Sequence, residues 1–151
     1  MNVDGQLKAG TFLTSESSNK YKVNALLGAG GQGEVYDVEC GGKHYALKWY
    51  FKHMATKSQK EILDNLITRG APDDSFLWPQ DLIFKGYGES FGYIMPLRPK
   101  NFKSIVDMMK RRAEPSFRTL CKAAYNLTNG YQKLHTMGYS YRDISFGNMF
   151  F

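Results

Sequence analysis

Near its C-terminal end the chain reads Tyr141-Arg142-Asp143-Ile144-Ser145-Phe146-Gly147-Asn148. An Asp preceded by Arg and followed five residues later by Asn has a spacing suited to phosphoryl transfer. The carboxylate accepts a hydrogen bond from an attacking hydroxyl, and the Asn side-chain oxygen ligates a Mg²⁺ bound to nucleotide phosphates. Both oxygens must point into one cleft, and a short irregular loop behind a long helix can aim them there. Arg-Asp and Gly-Asn pairs also occur in ordinary surface loops, so the motif needs support from elsewhere in the chain.

That support lies more than a hundred residues upstream, in Gly28-Ala29-Gly30-Gly31-Gln32-Gly33. A G-x-G-x-x-G pattern is ambiguous by itself and can be no more than a flexible turn. A dinucleotide-binding fold requires a helix immediately after it. Here the next residues are Glu34-Val35-Tyr36-Asp37-Val38-Glu39-Cys40, in which Tyr36, Val38 and Cys40 alternate with acids. That alternation predicts a strand. Residues 21–27 read as a strand before the glycines, Gly41-Gly42 as a tight turn, and 43–50 as a further strand. The glycines therefore sit at a hairpin tip, where backbone amides without side chains can approach phosphates closely. Lys48, on the following strand, carries an ammonium toward the same phosphates.

With these motifs together, the chain resembles the N-terminal part of a eukaryotic-type protein kinase, with a weaker likeness to bacterial members around Phe76-Leu77-Trp78-Pro79. Gly28, Gly30, Gly33 and Val35 match the family's G-x-G-x-x-G-x-V; Ala46 and Lys48 match its A-x-K; Arg142, Asp143 and Asn148 match its catalytic loop. The three motifs appear in family order and span about residues 21–151. The resemblance implies an α+β fold: a five-stranded antiparallel N-lobe with one helix (about 21–95), a hinge (96–99) and the first helices of a truncated, helical C-lobe (100–151). It implies ATP and Mg²⁺, transfer of the γ-phosphoryl to a protein hydroxyl in a protein substrate, and most simply serine/threonine specificity. Asp143 then orients the nucleophile, Lys48 holds phosphates, and Asn148 binds the metal. Glu61 is the candidate partner of Lys48, and Met95 and Leu97 border the adenine. Pro96 removes one backbone donor from the hinge, so adenine contacts lean on carbonyl oxygens and the Leu97 amide.

The elements that must hold these residues follow from periodicity. Residues 56–67 read as a helix with Ile62, Leu63 and Leu66 at helical spacing, stopped by Gly70 before Pro72. A face through Gln59, Ile62 and Leu66 turns Glu61 partly outward, so a solvated acid with an i,i+4 partner is its bland reading. Residues 82–84 and 90–95 read as strands joined by a turn at Gly86-Tyr87-Gly88-Glu89. A short helix is predicted over 102–112, with Phe102, Ile105, Val106 and Met109 on one side. A long one follows, with Phe117, Leu120, Ala124, Leu127, Tyr131 and Leu134 as a packing stripe and Gly138 as its stop. His135 reads as structural. Residues 1–20 are polar and poorly patterned, a flexible leader with at most a short strand near 11–13.

Composition sets outer bounds. At 151 residues, 42% hydrophobic and 15% aromatic, the chain is a folded domain rather than a disordered segment. Its net charge of +6 suits anionic ligands. The Lys and Arg residues are scattered, and without a basic-aromatic array nucleic-acid binding is disfavoured. The two cysteines, Cys40 and Cys121, read as free thiols in a reducing compartment. No signal-peptide pattern and no long apolar run is present, so no membrane role and a cytoplasmic location are expected.

Two departures from the family bear on activity. Ser145 stands where serine/threonine kinases carry a Lys that neutralises the transferred phosphoryl. Residues 1–151 also contain no Asp-Phe-Gly triplet, the family's second metal ligand. The kinase domain is therefore expected to be incomplete, lacking its C-terminal remainder and inactive alone. A nucleotide-binding pseudokinase or interaction module without turnover is the alternative.

Overall fold

Strand-forming residues dominate the first hundred positions. The computed structural model of the chain, which describes residues 5–85 and 90–151, builds them into one antiparallel sheet. Its strands are β1 (Phe12–Thr14), β2 (Lys20–Gly30), β3 (Gly33–Cys40), β4 (Lys43–Tyr50), β5 (Asp81–Phe84) and β6 (Phe91–Pro96), in the order β1-β2-β3-β4-β6-β5. One helix, α1 (Lys57–Arg69), is inserted between β4 and β5. The sheet-plus-helix plan agrees with the sequence, but the sheet has six strands where five were expected. The additional strand is β1. The turn expected at 86–89 lies outside the described residues.

Two glycines make the β3–β4 hairpin tight: Gly41 and Gly42 adopt φ of 57° and 75°, the left-handed pair that a two-residue turn between twisted strands requires. The β2–β3 pairing is less regular. Its register shifts between Val23 and Ala25 and again between Leu26 and Gly28. Each shift places an extra residue in β2, which bends and twists the hairpin that carries the glycines.

Burial alternates along the strands. Val23, Tyr36, Val38, Leu47, Trp49, Ile83 and Ile94 are buried together in the main core. Leu7 and Leu13 complete that core, which corrects the expectation of a flexible leader over 1–20 for its described part. The polar composition of the segment concealed this, because only two apolar side chains anchor it. Backbone pairing supplies the rest: Gly10 N–H donates to Val23 O at 2.7 Å, and Val23 N–H to Thr11 O at 2.8 Å. At the far end of β1, Ser15 bridges Ile83, and Glu16 N–H donates to Leu82 O at 2.8 Å. The first and last strands of the sheet thus meet, and neither presents a long open edge.

α1 packs on the other face of the sheet, in a second core of Tyr50, Leu63, Leu82 and Phe91 flanked by Leu66 and Ile67. Its start is capped by Thr56, whose hydroxyl accepts from Gln59 N–H at 3.1 Å. Its end is closed by Gly70, with φ of 74°, whose N–H reaches Leu66 O at 3.0 Å. Trp78 Nε1–H donates to the same carbonyl at 2.9 Å. Ile62 does not join the packing face; it is 51% exposed. The anchoring residues are Leu63, Leu66 and Ile67, so Ile67 takes the place expected for Ile62.

The chain divides into two compact units, Met1–Leu97 and Arg98–Phe151. In the second, the helix expected over 102–112 is shorter: α2 (Ile105–Met109), capped by a reciprocal Ser104–Asp107 box. It ends at Lys110, and Arg111 adopts a φ of 54°, which no helix can continue. α3 (Phe117–Thr136) begins at an N-cap Ser116. It stops at Gly138, whose φ of 79° lets Tyr139 N–H reach back to Leu134 O at 2.9 Å. Of its predicted stripe Leu134 is buried, whereas Phe117 is 81% exposed. Among the described residues, no helix is long and apolar enough to cross a membrane.

Candidate functional site

In an antiparallel ladder, residues directly opposite one another project from the same face, as do residues two apart on one strand. Val35 lies opposite both Gly28 of β2 and Lys48 of β4. Lys48 lies opposite Tyr93, and Ala46 opposite Met95. Gly28, Val35, Ala46, Lys48 and Met95 therefore share one face of the sheet, the face on which α1 packs through Tyr50 and Phe91. Their neighbours Tyr36, Leu47 and Ile94 point the other way, into the main core. A residue pattern with period two, read across four strands, has gathered positions up to 67 apart in sequence, from Gly28 to Met95.

The glycines of the hairpin differ in what they do. A Cβ on Gly33 would collide with the backbone carbonyl of Trp49, so the close approach of β3 to β4 excludes any other residue. Gly28, Gly30 and Gly31 face open space, and none has a left-handed φ. Neither packing nor backbone conformation asks for glycine at those three positions. The tip of the hairpin is tied to the residue that follows the Lys48 strand: Phe51 N–H donates to Gln32 O at 3.0 Å.

Glu61 lies on the solvent side of α1. It is 65% exposed and pairs with Lys57, one turn earlier, at 3.8 Å. Its angular offset from the anchoring Leu63, about 200° around the helix, accounts for this. The side chains on the flank of the helix nearer the sheet are Gln59 and Lys60. Gln59 Nε2 donates to Tyr50 Oη at 3.1 Å. Lys60 Nζ pairs with Asp64 at 3.0 Å and Glu16 at 3.2 Å, and lies 5.4 Å from the centroid of the Phe84 ring. Hydrogen bonding to Asp64 holds the Lys60 ammonium above its ordinary pKa. Leu97 lies past the end of β6, beside a shallow groove of about 460 Å³ lined also by Lys43, His44, Tyr45, Gln80 and Pro96.

In the second unit, α3 delivers the chain into the loop that carries Asp143 and Asn148. The Asn148 side-chain amide donates to Asp143 O at 3.0 Å and to Asp143 Oδ2 at 2.9 Å, which brings the two functional groups into contact. A turn from Asn148 N–H to Ser145 O at 3.1 Å closes the loop. Its entry is held by Tyr141, whose ring packs 5.9 Å from that of Tyr131 on α3. Burial, with Asp143 beside it, raises the Tyr141 phenol above its ordinary pKa. Its exit is held by paired backbone hydrogen bonds of 2.8 Å between Lys103 and Phe151, and by the Arg98 guanidinium 4.3 Å over the Phe150 ring. Asp143, Ser145 and Asn148 themselves are exposed. Among the described residues no three His, Cys, Asp or Glu side chains come together as a metal cage.

This arrangement of strands, helix and loop recurs in solved structures. The kinase domain of Mycobacterium tuberculosis PknI superposes with a TM-score of 0.69 over 96% of this chain and 58% of its own, at 20% identity. The chain has the protein kinase fold. Vaccinia related kinase 3 superposes with a TM-score of 0.61 over 89% of this chain and 44% of its own, at 16% identity. The kinase fold here thus spans a little over half the length of the PknI domain. No protein-family model and no curated protein sequence matches the chain. Sequence reasoning missed two features of this fold: the role of residues 6–17 in closing the sheet, and the inward flank of α1 at Gln59 and Lys60. For the first, the apolar Leu7 and Leu13 around Gly10 were the available signal.

Proposed function

We propose that the chain carries the nucleotide-binding sheet and catalytic loop of an ATP-dependent protein kinase of serine/threonine type. The observation that carries this reading is the single sheet face holding Gly28, Val35, Ala46, Lys48 and Met95, with a hairpin whose Gly28 and Gly30 have no structural reason to be glycine. Bare backbone amides at such a tip are what close approach to a triphosphate requires. Ala46, Val35 and Met95 offer the adenine a flat apolar surface beside them, and the Leu97 amide offers it a donor. Lys48 supplies positive charge to the phosphates.

Asp143 accepts the proton-bearing hydroxyl of the protein substrate and orients its oxygen toward the γ-phosphorus. The donor set of the loop, a carboxylate and an amide oxygen, is hard and suits Mg²⁺ rather than a softer ion. Asn148 would hold that ion, whose charge offsets the charge that develops on the transferred phosphoryl. In the contact seen here the Asn148 amide N–H₂ donates to Asp143. Glu61 is proposed to pair with Lys48 in the active conformation, which requires α1 to rotate from its present register.

Ser145 and the outward Glu61 favour a second reading, a nucleotide-binding pseudokinase or regulatory module. Residues 1–151 alone are expected to leave a protein substrate unlabelled. They supply Asn148 without an Asp-Phe-Gly carboxylate, and loss of one such electrostatic element costs about 10²-fold or more in rate. Transfer from γ-labelled ATP to a protein substrate by the protein at its natural length tests the choice. Labelling that vanishes in Asp143→Asn supports the kinase. ATP binding without labelling supports the pseudokinase, and absence of both rejects the proposal.

A further inference from the structure

Residues 5–17 touch both strands of the glycine hairpin, β2 and β3, and reach on to β5 and α1. Leu7 is buried in the main core, and its N–H donates to Tyr36 Oη at 3.0 Å. Tyr36 Oη–H donates in turn to the Glu34 carboxylate, whose Oε2 also accepts from Gln6 N–H at 2.9 Å. Glu34 is 8% exposed, and it is the residue immediately after the last glycine of the motif. The segment then pairs with β2 through Phe12, Leu13 and Thr14, opposite Lys22, Tyr21 and Lys20. It ends on β5, where Ser15 bridges Ile83, and on α1, where Glu16 meets Lys60 at 3.2 Å.

We propose that this segment is a strap that positions the glycine hairpin, with Glu34 and Tyr36 as positioning residues through which it acts. The proposal rests on reading the hairpin as the phosphate-binding element. A two-residue hairpin tip with exposed glycines has little packing of its own, so its aim depends on what grips its arms. On one side the grip is β4 against Gly33 at Trp49, continued at the tip by Phe51 N–H on Gln32 O. On the other it is the buried chain Leu7 N–H, Tyr36 Oη–H, Glu34 carboxylate, Gln6 N–H. A buried carboxylate that receives two hydrogen bonds is costly to strip of either one while it stays buried, so strap and hairpin arm should release together rather than separately. The anchors on β5 and α1 keep the far end of the strap from sliding. Gly5 is what allows the near end to close, because a Cβ there would collide with Tyr36 Oη.

Hydrogen exchange followed peptide by peptide on the full chain tests this, with wild type beside Gly5→Ala and Tyr36→Phe. The strap predicts faster exchange over 6–14 and, with it, about fivefold faster exchange over 28–35, while β6 is unchanged. MgATP affinity measured by calorimetry on the same samples is predicted to fall about threefold through loss of preorganisation. A strap that exchanges freely while 28–35 stays protected overturns the proposal. So does a rise shared equally by β6, which is general destabilisation, or a strap that neither variant loosens. If Gly5→Ala does not fold, Tyr36→Phe, which keeps the ring in the core, decides alone. Exchange coupling with no MgATP binding by wild type rejects the nucleotide reading and leaves the mechanical link standing.

Discussion

At the scale of single residues, the hydroxyl of Tyr36 is where core, strap and hairpin meet, and its titration should report on all three. Burial, reinforced by the hydrogen bond to Glu34, pushes the Tyr36 phenol from 10.0 up to about 12, and burial with Asp81 nearby does the same to Tyr21. A raised folded pKa means the folded state holds its proton more tightly than the unfolded chain. The stability this contributes is complete below pH 10 and is lost as pH rises through 12. Denaturant titrations between these limits should show stability falling, with phenolate absorbance lagging behind that of free tyrosine; Tyr36→Phe should flatten part of the fall. A flat wild-type profile would mean that Tyr36 is not held as described. The identities of the site residues were legible in the sequence because motif spacing encodes them directly. The partners of those residues were not. Glu61 and Lys60 are adjacent, and a rotation of about 100° decides which faces the sheet, a choice made by the packing of Leu63 and Ile67 rather than by any local signal.

At the scale of elements, the hairpin separates glycines that serve the fold from glycines that serve a ligand. Gly33→Ala forces a methyl into the Trp49 carbonyl and should cost about 1–3 kcal/mol. Gly30→Ala meets open space and should change stability by less than about 0.5 kcal/mol while weakening MgATP binding. Chemical denaturation of the two variants checks the first contrast, and equal losses of stability would reject it. On α1, Glu61→Gln should be silent for stability, because the acid is exposed and its pair with Lys57 is a surface contact. Gln59→Ala should cost about 1 kcal/mol through loss of the bond to Tyr50. A larger effect at Glu61 would show that the helix occupies the other register. Strands β2 to β6 were readable because alternation and turn glycines mark them locally. β1 was faint because it has only three residues, held by pairing with β2 and by the burial of a single leucine, Leu13.

At the scale of the whole chain, two compact units carry the two halves of the proposed chemistry: the phosphate-facing sheet in Met1–Leu97 and the Asp143–Asn148 loop in Arg98–Phe151. The fold likeness to PknI extends over both, covering 96% of this chain at 20% identity. At that distance the likeness is one of fold. The claim on which the account depends is that the sheet face around Lys48 binds nucleotide phosphates. Calorimetric titration of MgATP into the full chain, wild type against Lys48→Met, tests it most directly. A charge-assisted contact to phosphate contributes about 1.5–3 kcal/mol, so the account predicts measurable wild-type binding that weakens roughly tenfold or more in the variant. Equal affinities in the two proteins, or no binding by the wild type, would contradict it.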